Sequence, residues 1–307
     1  MRYTWQITSQ PRGGARFDVL LQDELNHPSL LRLNNKLRGR YPVISIVHHL
    51  RASEQRASWQ NALYRVIEKS YLASVDGFVF NSRATRASVE SLLVRARPHV
   101  VAFPAGDRFA PTVTEQMIIE KAHDAGSLRV LFVGNIIERK GLHSIIEAMA
   151  QGGAPWTLTI VGNEGADARY AAHIRWLAHQ LNVALRIRWL GPVADGALAD
   201  EFSQHHILAV PSSYEGFGIV YPEAMSFGLP ALASSAGAAR EIITSGVDGF
   251  LVAPGDASAI ARHMLALDAN RDQLAAMGCD ALKRYKRHPT WSESMARVRA
   301  FLSDFRR

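Results

Sequence analysis

The segment Ser213-Tyr-Glu-Gly-Phe-Gly-Ile-Val-Tyr-Pro-Glu-Ala224 places two carboxylates, Glu215 and Glu223, on either side of a Gly-Phe-Gly loop, with seven residues between them. Gly216 and Gly218, flanking Phe217, let backbone amides come close to a ligand. The apolar, helix-like run that follows starts with unpaired N–H groups suited to an anion. A carboxylate in the loop and another about a turn into the helix can both accept hydrogen bonds from sugar hydroxyls. That chemistry fits a sugar joined to phosphate. The spacing alone is weak, because Glu pairs at this distance are common in helical proteins. The embedded Glu-Gly-Phe-Gly and the following Pro222-Glu-Ala-Met-Ser-Phe-Gly-Leu-Pro230 make it specific.

Outward from this segment, short β-rich runs alternate with longer helical stretches, which argues for parallel α/β sheets. Strands are expected at residues 17–22, 43–47, 77–81 and 100–103, with helices at 57–73 and 83–95. Residues 104–127 carry two prolines and mixed charge, so the first domain boundary is placed there. A second series expects strands at 129–133, 158–161, 187–190, 207–210, 231–233 and 250–252, with helices at 142–150, 166–181 and 219–227. The expected domains are 1–110, 111–286 and a tail at 287–307. Trp291, Met295, Val298 and Leu302 give that tail an amphipathic helical spacing. Two doubly wound domains in tandem put a ligand in the cleft outside the carboxyl ends of the strands.

Composition agrees with an ordinary globular protein: 307 residues, 48% apolar and 21% charged. One cysteine, Cys279, excludes an internal disulfide framework and fits a reducing compartment. No run reaches the roughly 18 apolar residues of a membrane span. The start, Met1-Arg-Tyr-Thr-Trp-Gln-Ile-Thr8, lacks the apolar core of a signal peptide, so a cytoplasmic location is expected. Lys and Arg total 35 against 28 Asp and Glu, a net charge of +7. Basic groups at residues 32–40 and 283–287 are not interleaved with stacking aromatics, and nucleic acid is not an expected partner. They read as solvated faces, with peripheral contact to an anionic membrane as the alternative.

A second motif is Leu131-Phe-Val-Gly-Asn-Ile-Ile-Glu-Arg-Lys-Gly141, where a strand ends at Gly134 and Lys140-Gly141 opens the next helix. A lysine at a helix start opposes the macrodipole, and an anion held nearby resolves the conflict. A third feature is Ile44-Ser-Ile-Val-His-His49, a strand that ends in two histidines facing opposite sides. No further His, Cys or Asp stands at ligand spacing from that pair, so metal binding is not expected. Asp23-Glu-Leu-Asn-His-Pro28 reads as a helix-capping turn or, alternatively, as a contact on the acceptor side. No GxGxxG, Walker loop, Ser-His-Asp set or EF-hand pattern is present.

Together these motifs resemble retaining glycosyltransferases of the GT-B fold, in particular family 4, with its E-x7-E pattern. The resemblance runs from about residue 17 to the end. It implies two Rossmann-like domains facing a cleft and transfer of a sugar from a nucleotide-diphosphate donor without a metal or other cofactor. It further implies that Glu223 binds the donor ribose and Glu215 the sugar hydroxyls, while Gly216, Phe217 and Gly218 line the diphosphate and sugar through backbone. Lys140 offsets charge on the leaving phosphate, and that phosphate takes the acceptor proton. His48, with His49 in reserve, positions the sugar. Gly134, Gly162 and Leu190 belong to strand ends where the family contacts phosphate and base. At the family's arginine position this chain has Asn135, and Arg139 is the residue that could restore the charge.

The N-terminal domain is incomplete against that family, since a strand, a glycine-rich loop and further β/α units usually come before this region. Residues 17–22 are then expected to form an exposed apolar edge. A misplaced start, a gene fragment, a shortened active enzyme and one half of an enzyme completed by a partner chain all fit. A donor-binding subunit that is inactive alone and a GT-B isomerase of the nucleotide-sugar epimerase kind are the alternative functions.

Overall fold

The computed structural model describes residues 17–37, 39–53, 58–151 and 156–305. Its first α/β unit contains β1 (Leu20–Asp23), α1 (His27–Leu37), β2 (Val43–Val47), α2 (Ser58–Leu72), β3 (Gly77–Phe80), α3 (Arg83–Glu90) and β4 (His99–Val101). These strands form one parallel sheet in the order β1-β2-β3-β4. β2 is apolar at nearly every position because helices cover both faces of the sheet. Val43 and Val47 pack with Leu72, Phe78 and Val89 on one side, and Ile44 packs with Val79, Ala102 and Val298 on the other.

The second unit contains β5 (Arg129–Val133), α5 (Leu142–Ala150), β6 (Thr157–Val161), α6 (Ala168–Gln180), β7 (Ile187–Gly191) and α7 (Asp195–Gln204). It continues with β8 (Ile207–Val210), α8 (Val220–Ser226), β9 (Ala231–Ser234), β10 (Gly249–Val252), α9 (Ala257–Ala269) and α10 (Arg271–Lys286). The parallel order is β10-β9-β8-β5-β6-β7. β5 pairs with β6 on one side and β8 on the other, so the winding reverses between β5 and β8. At such a reversal the connecting loops diverge and leave a crevice at the carboxyl ends of the strands. The core beneath includes Phe132, Ile146, Leu158, Leu208 and Phe202, all closed to solvent.

The final helix, α11 (Trp291–Ser303), returns to the first unit. Thr290 and Glu293 form a capping box at its start, and Ser294 Oγ donates to the Phe103 carbonyl at 2.6 Å. Val298 completes the face that covers Ile44 and Val79.

Several local expectations are corrected. Strand 17–22 begins later, at Leu20. Residues 23–28 do form a turn that leads into α1, with Asp23 Oδ1 accepting the Leu25 N–H at 2.9 Å, as one of their two readings expects. The helix expected over 83–95 stops at Glu90, after which Leu92 and Leu93 turn inward against the first core. The region 104–127 also holds a helix, α4 (Glu115–Ala122), capped by the Thr114 hydroxyl and buried through Ile118 against Cys279 and Leu282. Helix 57–73 is seen as α2, and Ala57 lies outside the described residues, as does the start at 1–8.

Buried carboxylates, rather than turns alone, hold the ends of the first sheet. Glu24 accepts the His48 N–H at 2.7 Å, and Glu68 on α2 accepts that of Arg51 at 2.6 Å. Burial pushes the Glu24 carboxyl up to about 7, against the opposing hydrogen bond from His48. An acid raised in the folded state holds its proton more tightly there than in the unfolded chain. Its ionisation therefore lowers stability as pH rises from its unfolded value towards 7. Glu24→Gln is expected to melt higher than the parent at pH 8 and at a similar temperature at pH 5. Equal melting shifts at both pH values contradict this.

Candidate donor site

Two loops meet at the reversal between β5 and β8. The loop after β5 runs from Gly134 through a 3₁₀ turn at Glu138–Lys140 into α5. The loop after β8 carries Ser212 to Ile219 into α8. Lys140 Nζ donates to Glu215 Oε2 at 2.7 Å, and the Ser212 hydroxyl reaches the same oxygen at 3.2 Å. Arg139 Nη1 lies 3.7 Å from that oxygen and donates to the Tyr214 carbonyl at 2.8 Å. Burial works to raise the Glu215 carboxyl, but Lys140, Arg139 and the Ser212 hydroxyl outweigh it and hold it below its ordinary value. Glu215 is therefore an ionised, mostly buried acceptor with two cations beside it. Its backbone is fixed as well, because its carbonyl accepts the Ala238 N–H at 2.9 Å.

Two close approaches explain the glycines around this pair. A Cβ on Gly162, at the end of β6, would lie 1.8 Å from the Gly134 carbonyl oxygen, so no larger residue lets the two strand-end loops stack. A Cβ on Gly216 would lie 2.5 Å from the His48 carbonyl oxygen. The loop from Ser212 to Ile219 therefore rests against the end of β2 in the first unit. Thr85 Oγ1 lies 3.3 Å from the His48 carbonyl and 3.4 Å from that of Gly216, joining both sides. Glu241, in the turn after Ala238, accepts the Arg83 and Ala84 N–H groups at 2.9 and 2.7 Å. A carboxylate from the second unit thus caps a helix of the first, where the macrodipole favours it.

Glu223 lies on α8, 7% exposed, with Arg108 Nη1 3.9 Å from its carboxylate. Arg108 in turn grips Asp195 at the start of α7, with Nε at 3.0 Å from Oδ2 and Nη2 on Oδ1. Burial raises the Glu223 carboxyl to about 6, with Arg108 opposing and Asp195 assisting.

The structure therefore brings Glu215, Lys140, Arg139 and Gly134 together, and the would-be Cβ of Gly134 faces the Lys140 stem at 3.6 Å. Gly162 lies directly beneath them, and Gly216 and Gly218 stay in the loop. Asn135 is exposed at the loop surface. The Phe217 ring points away into the core, stacking on Phe103 at 5.8 Å near His288. The His48 ring turns to Asp23 at 3.5 Å, and the His49 Cβ is the atom nearest Gly216 after the His48 carbonyl oxygen. Leu190 is half-buried on the edge strand β7. Among the described residues, no group of three His, Cys, Asp or Glu could hold a metal ion. Arg108, Asp195 and Thr85 escaped sequence reasoning. Arg108 reaches Asp195 across 87 residues, Thr85 reaches His48 and Gly216 across 37 and 131, and no local pattern marks them.

Comparison with known proteins gives the fold and the family. A D-inositol 3-phosphate glycosyltransferase of Xylanimonas cellulosilytica is 28% identical over 245 residues, 76% of this chain and 58% of the relative. A GDP-mannose-dependent alpha-(1-6)-phosphatidylinositol monomannoside mannosyltransferase of Mycobacterium tuberculosis is 28% identical over 214 residues, 64% of this chain and 53% of the relative. The chain thus spans under three-fifths of the length of these curated relatives. Among solved structures, sucrose-phosphate synthase of Thermosynechococcus elongatus superposes with a TM-score of 0.79 at 23% identity. That match covers 94% of this chain and 74% of the other. Anabaena HepE in complex with UDP and glucose superposes with a TM-score of 0.77 at 22% identity, covering 94% and 78%. The fold is GT-B, with two Rossmann-like units. Residues 113–284, more than half of the chain, match the model of the glycosyl transferases group 1, and the chain belongs to that family.

Proposed function

We propose that this chain takes a nucleotide-diphosphate sugar as donor and transfers the sugar, with retention of anomeric configuration, to a hydroxyl acceptor. The observation that carries this reading is the Lys140–Glu215 contact of 2.7 Å at the sheet reversal. A cation and an ionised carboxylate on adjacent loops match the two halves of such a donor. Lys140, with Arg139, faces the diphosphate and meets charge that grows on the leaving phosphate, where preorganised donors act most strongly. Glu215 accepts hydrogen bonds from sugar hydroxyls, and Glu223 accepts them from the ribose. The leaving phosphate takes the acceptor proton, so no separate protein base is required. His48 positions the sugar from the first unit. HepE, of similar fold, was solved with UDP and glucose, which supports a nucleotide sugar here. No described helix is long and apolar enough to cross a membrane. A cytoplasmic nucleotide-sugar pool is the expected source of donor.

A second reading has a specific observation behind it. Among the described residues β1 is an edge strand that carries Leu21 46% exposed, and Trp59 and Val66 on α2 of the same unit are 69% and 64% exposed. An open strand edge beside apolar side chains is a pairing surface. In this reading the chain binds donor and becomes active when further β/α structure, from a longer polypeptide or a partner chain, covers that edge. Turnover by the purified chain alone excludes it.

The test is turnover of nucleotide sugars, with product anomer read by NMR. Lys140→Met and Glu215→Gln are each expected to lower turnover by about 10²–10³-fold, and full activity in either variant contradicts the assignment. Nucleotide affinity is also expected to depend on pH through Glu223. When ionised, its carboxylate offers both oxygens as strong acceptors to the ribose, and protonation turns one into an O–H donor, so binding weakens as pH falls through about 6. Glu223→Gln should remove that dependence. A dependence that persists in the variant belongs to another group.

A further inference from the structure

A cavity of about 840 Å³ opens at the far end of the second sheet, where β5, β6 and β7 begin and away from the donor loops. Four cationic side chains line it: Lys121 from α4, Arg129 at the start of β5, and Arg186 and Arg188 before and within β7. Two acids, Glu120 and Asp124, share the lining, and Met117 and Leu185 are among its apolar residues. Arg129 is held by Asp124 at 2.8 Å and by the Gln204 carbonyl at 2.6 Å, and Arg188 is held by Glu201 at 2.5 Å. These contacts use Nε and Nη2 of Arg129 and Nη2 of Arg188, so Nη1 of each stays available among the described residues.

Lys121 differs from Arg129 and Arg188. Its Nζ donates to the Phe227 carbonyl at 3.3 Å, and no carboxylate among the described residues pairs with it. Burial, reinforced by Arg129, lowers its ammonium to about 8. His205 in the cavity lining and its neighbour His206 are pushed down by burial and by the neighbouring cations to about 4 and about 3. They are neutral at pH 7, and the field around them is positive. An anion entering the cavity would gain Coulomb attraction in a partly desolvated site, where such contacts are stronger than in water.

We propose that this cavity is a second ligand site for a small organic phosphate, with its charge met by Lys121, Arg129, Arg186 and Arg188 and its carbon skeleton against Met117 and Leu185. The site is tied to α8. Phe227, whose carbonyl receives the Lys121 ammonium, closes that helix, and Glu223 lies one turn before it.

Calorimetric titration of the full chain with inorganic pyrophosphate tests the proposal, because this probe suits both this cavity and the donor loops. The parent chain is expected to show two classes of site. Lys140→Met should keep the class that belongs to the cavity. Lys121→Met, which removes a desolvated charge and leaves the stem, should keep the Lys140-dependent class and weaken the other by about tenfold or more. Lys121→Arg should retain both classes, and Arg186→Gln gives an independent route to the same loss. The proposal is overturned if Lys121→Met and Arg186→Gln, each melting like the parent, titrate as the parent does. Loss of the Lys140-dependent class alone would leave this site standing and bear only on the donor reading.

Discussion

The buried ion pair between Glu215 and Lys140 is the constraint around which the rest of the molecule is arranged. Taking a carboxylate out of water is costly, and the cost is offset only when partners saturate its oxygens. Lys140, Arg139 and Ser212 gather on Glu215 Oε2, and the two cations supply most of the compensation. Removing one partner of a buried pair typically costs about 3–5 kcal/mol, because the other charge remains buried. The pair joins two loops that leave neighbouring strands, so it fixes their separation at the sheet reversal. The stacking of Gly162 on Gly134 sets the height of the Lys140 loop, and the Ala238 N–H sets the backbone of Glu215. In the proposed donor site a ligand would meet charges already in place, so little side-chain entropy would be lost on binding.

The same segment links the two units. Gly216 abuts the His48 carbonyl, and Glu241 caps α3 across the boundary, while its own turn begins at the residue that holds Glu215. Movement of one unit against the other therefore acts on the backbone beside Glu215. The Phe217 ring, packed on Phe103 and His288, sits where the chain passes between the units. A residue that resembles a ligand contact in sequence is, by its side chain, part of the interior.

Much of the fold could be read from pattern. β2, β5 and β8 are short, almost wholly apolar runs with abrupt polar ends, and α5 has a clear 3.6-residue period. α1 and α4 were hidden by proline and by mixed charge, which weigh against a helix locally although packing supports one. The loops with Glu215 and Lys140 were recognisable because glycine and charge recur there at fixed spacing. Arg108, Asp195 and Thr85 were not. Each acts through a contact made by folding between distant segments, and an isolated Arg or Glu in a loop carries no sign of its partner. The carboxylate of Glu24 looked like part of a turn because its acceptor role depends on burial beneath β2, which sequence does not display.

The central claim is a division of labour, with Lys140 serving the diphosphate and Glu215 serving the sugar. The most direct measurement compares the affinities of a nucleoside diphosphate and its nucleotide sugar for the parent, Lys140→Met and Glu215→Gln chains. The account predicts that Lys140→Met weakens both ligands. Glu215→Gln should leave the nucleoside diphosphate bound as well or better, since a negative charge has gone, yet lose the added affinity of the sugar. Equal weakening of both ligands by Glu215→Gln, or no effect of Lys140→Met on either, would contradict it.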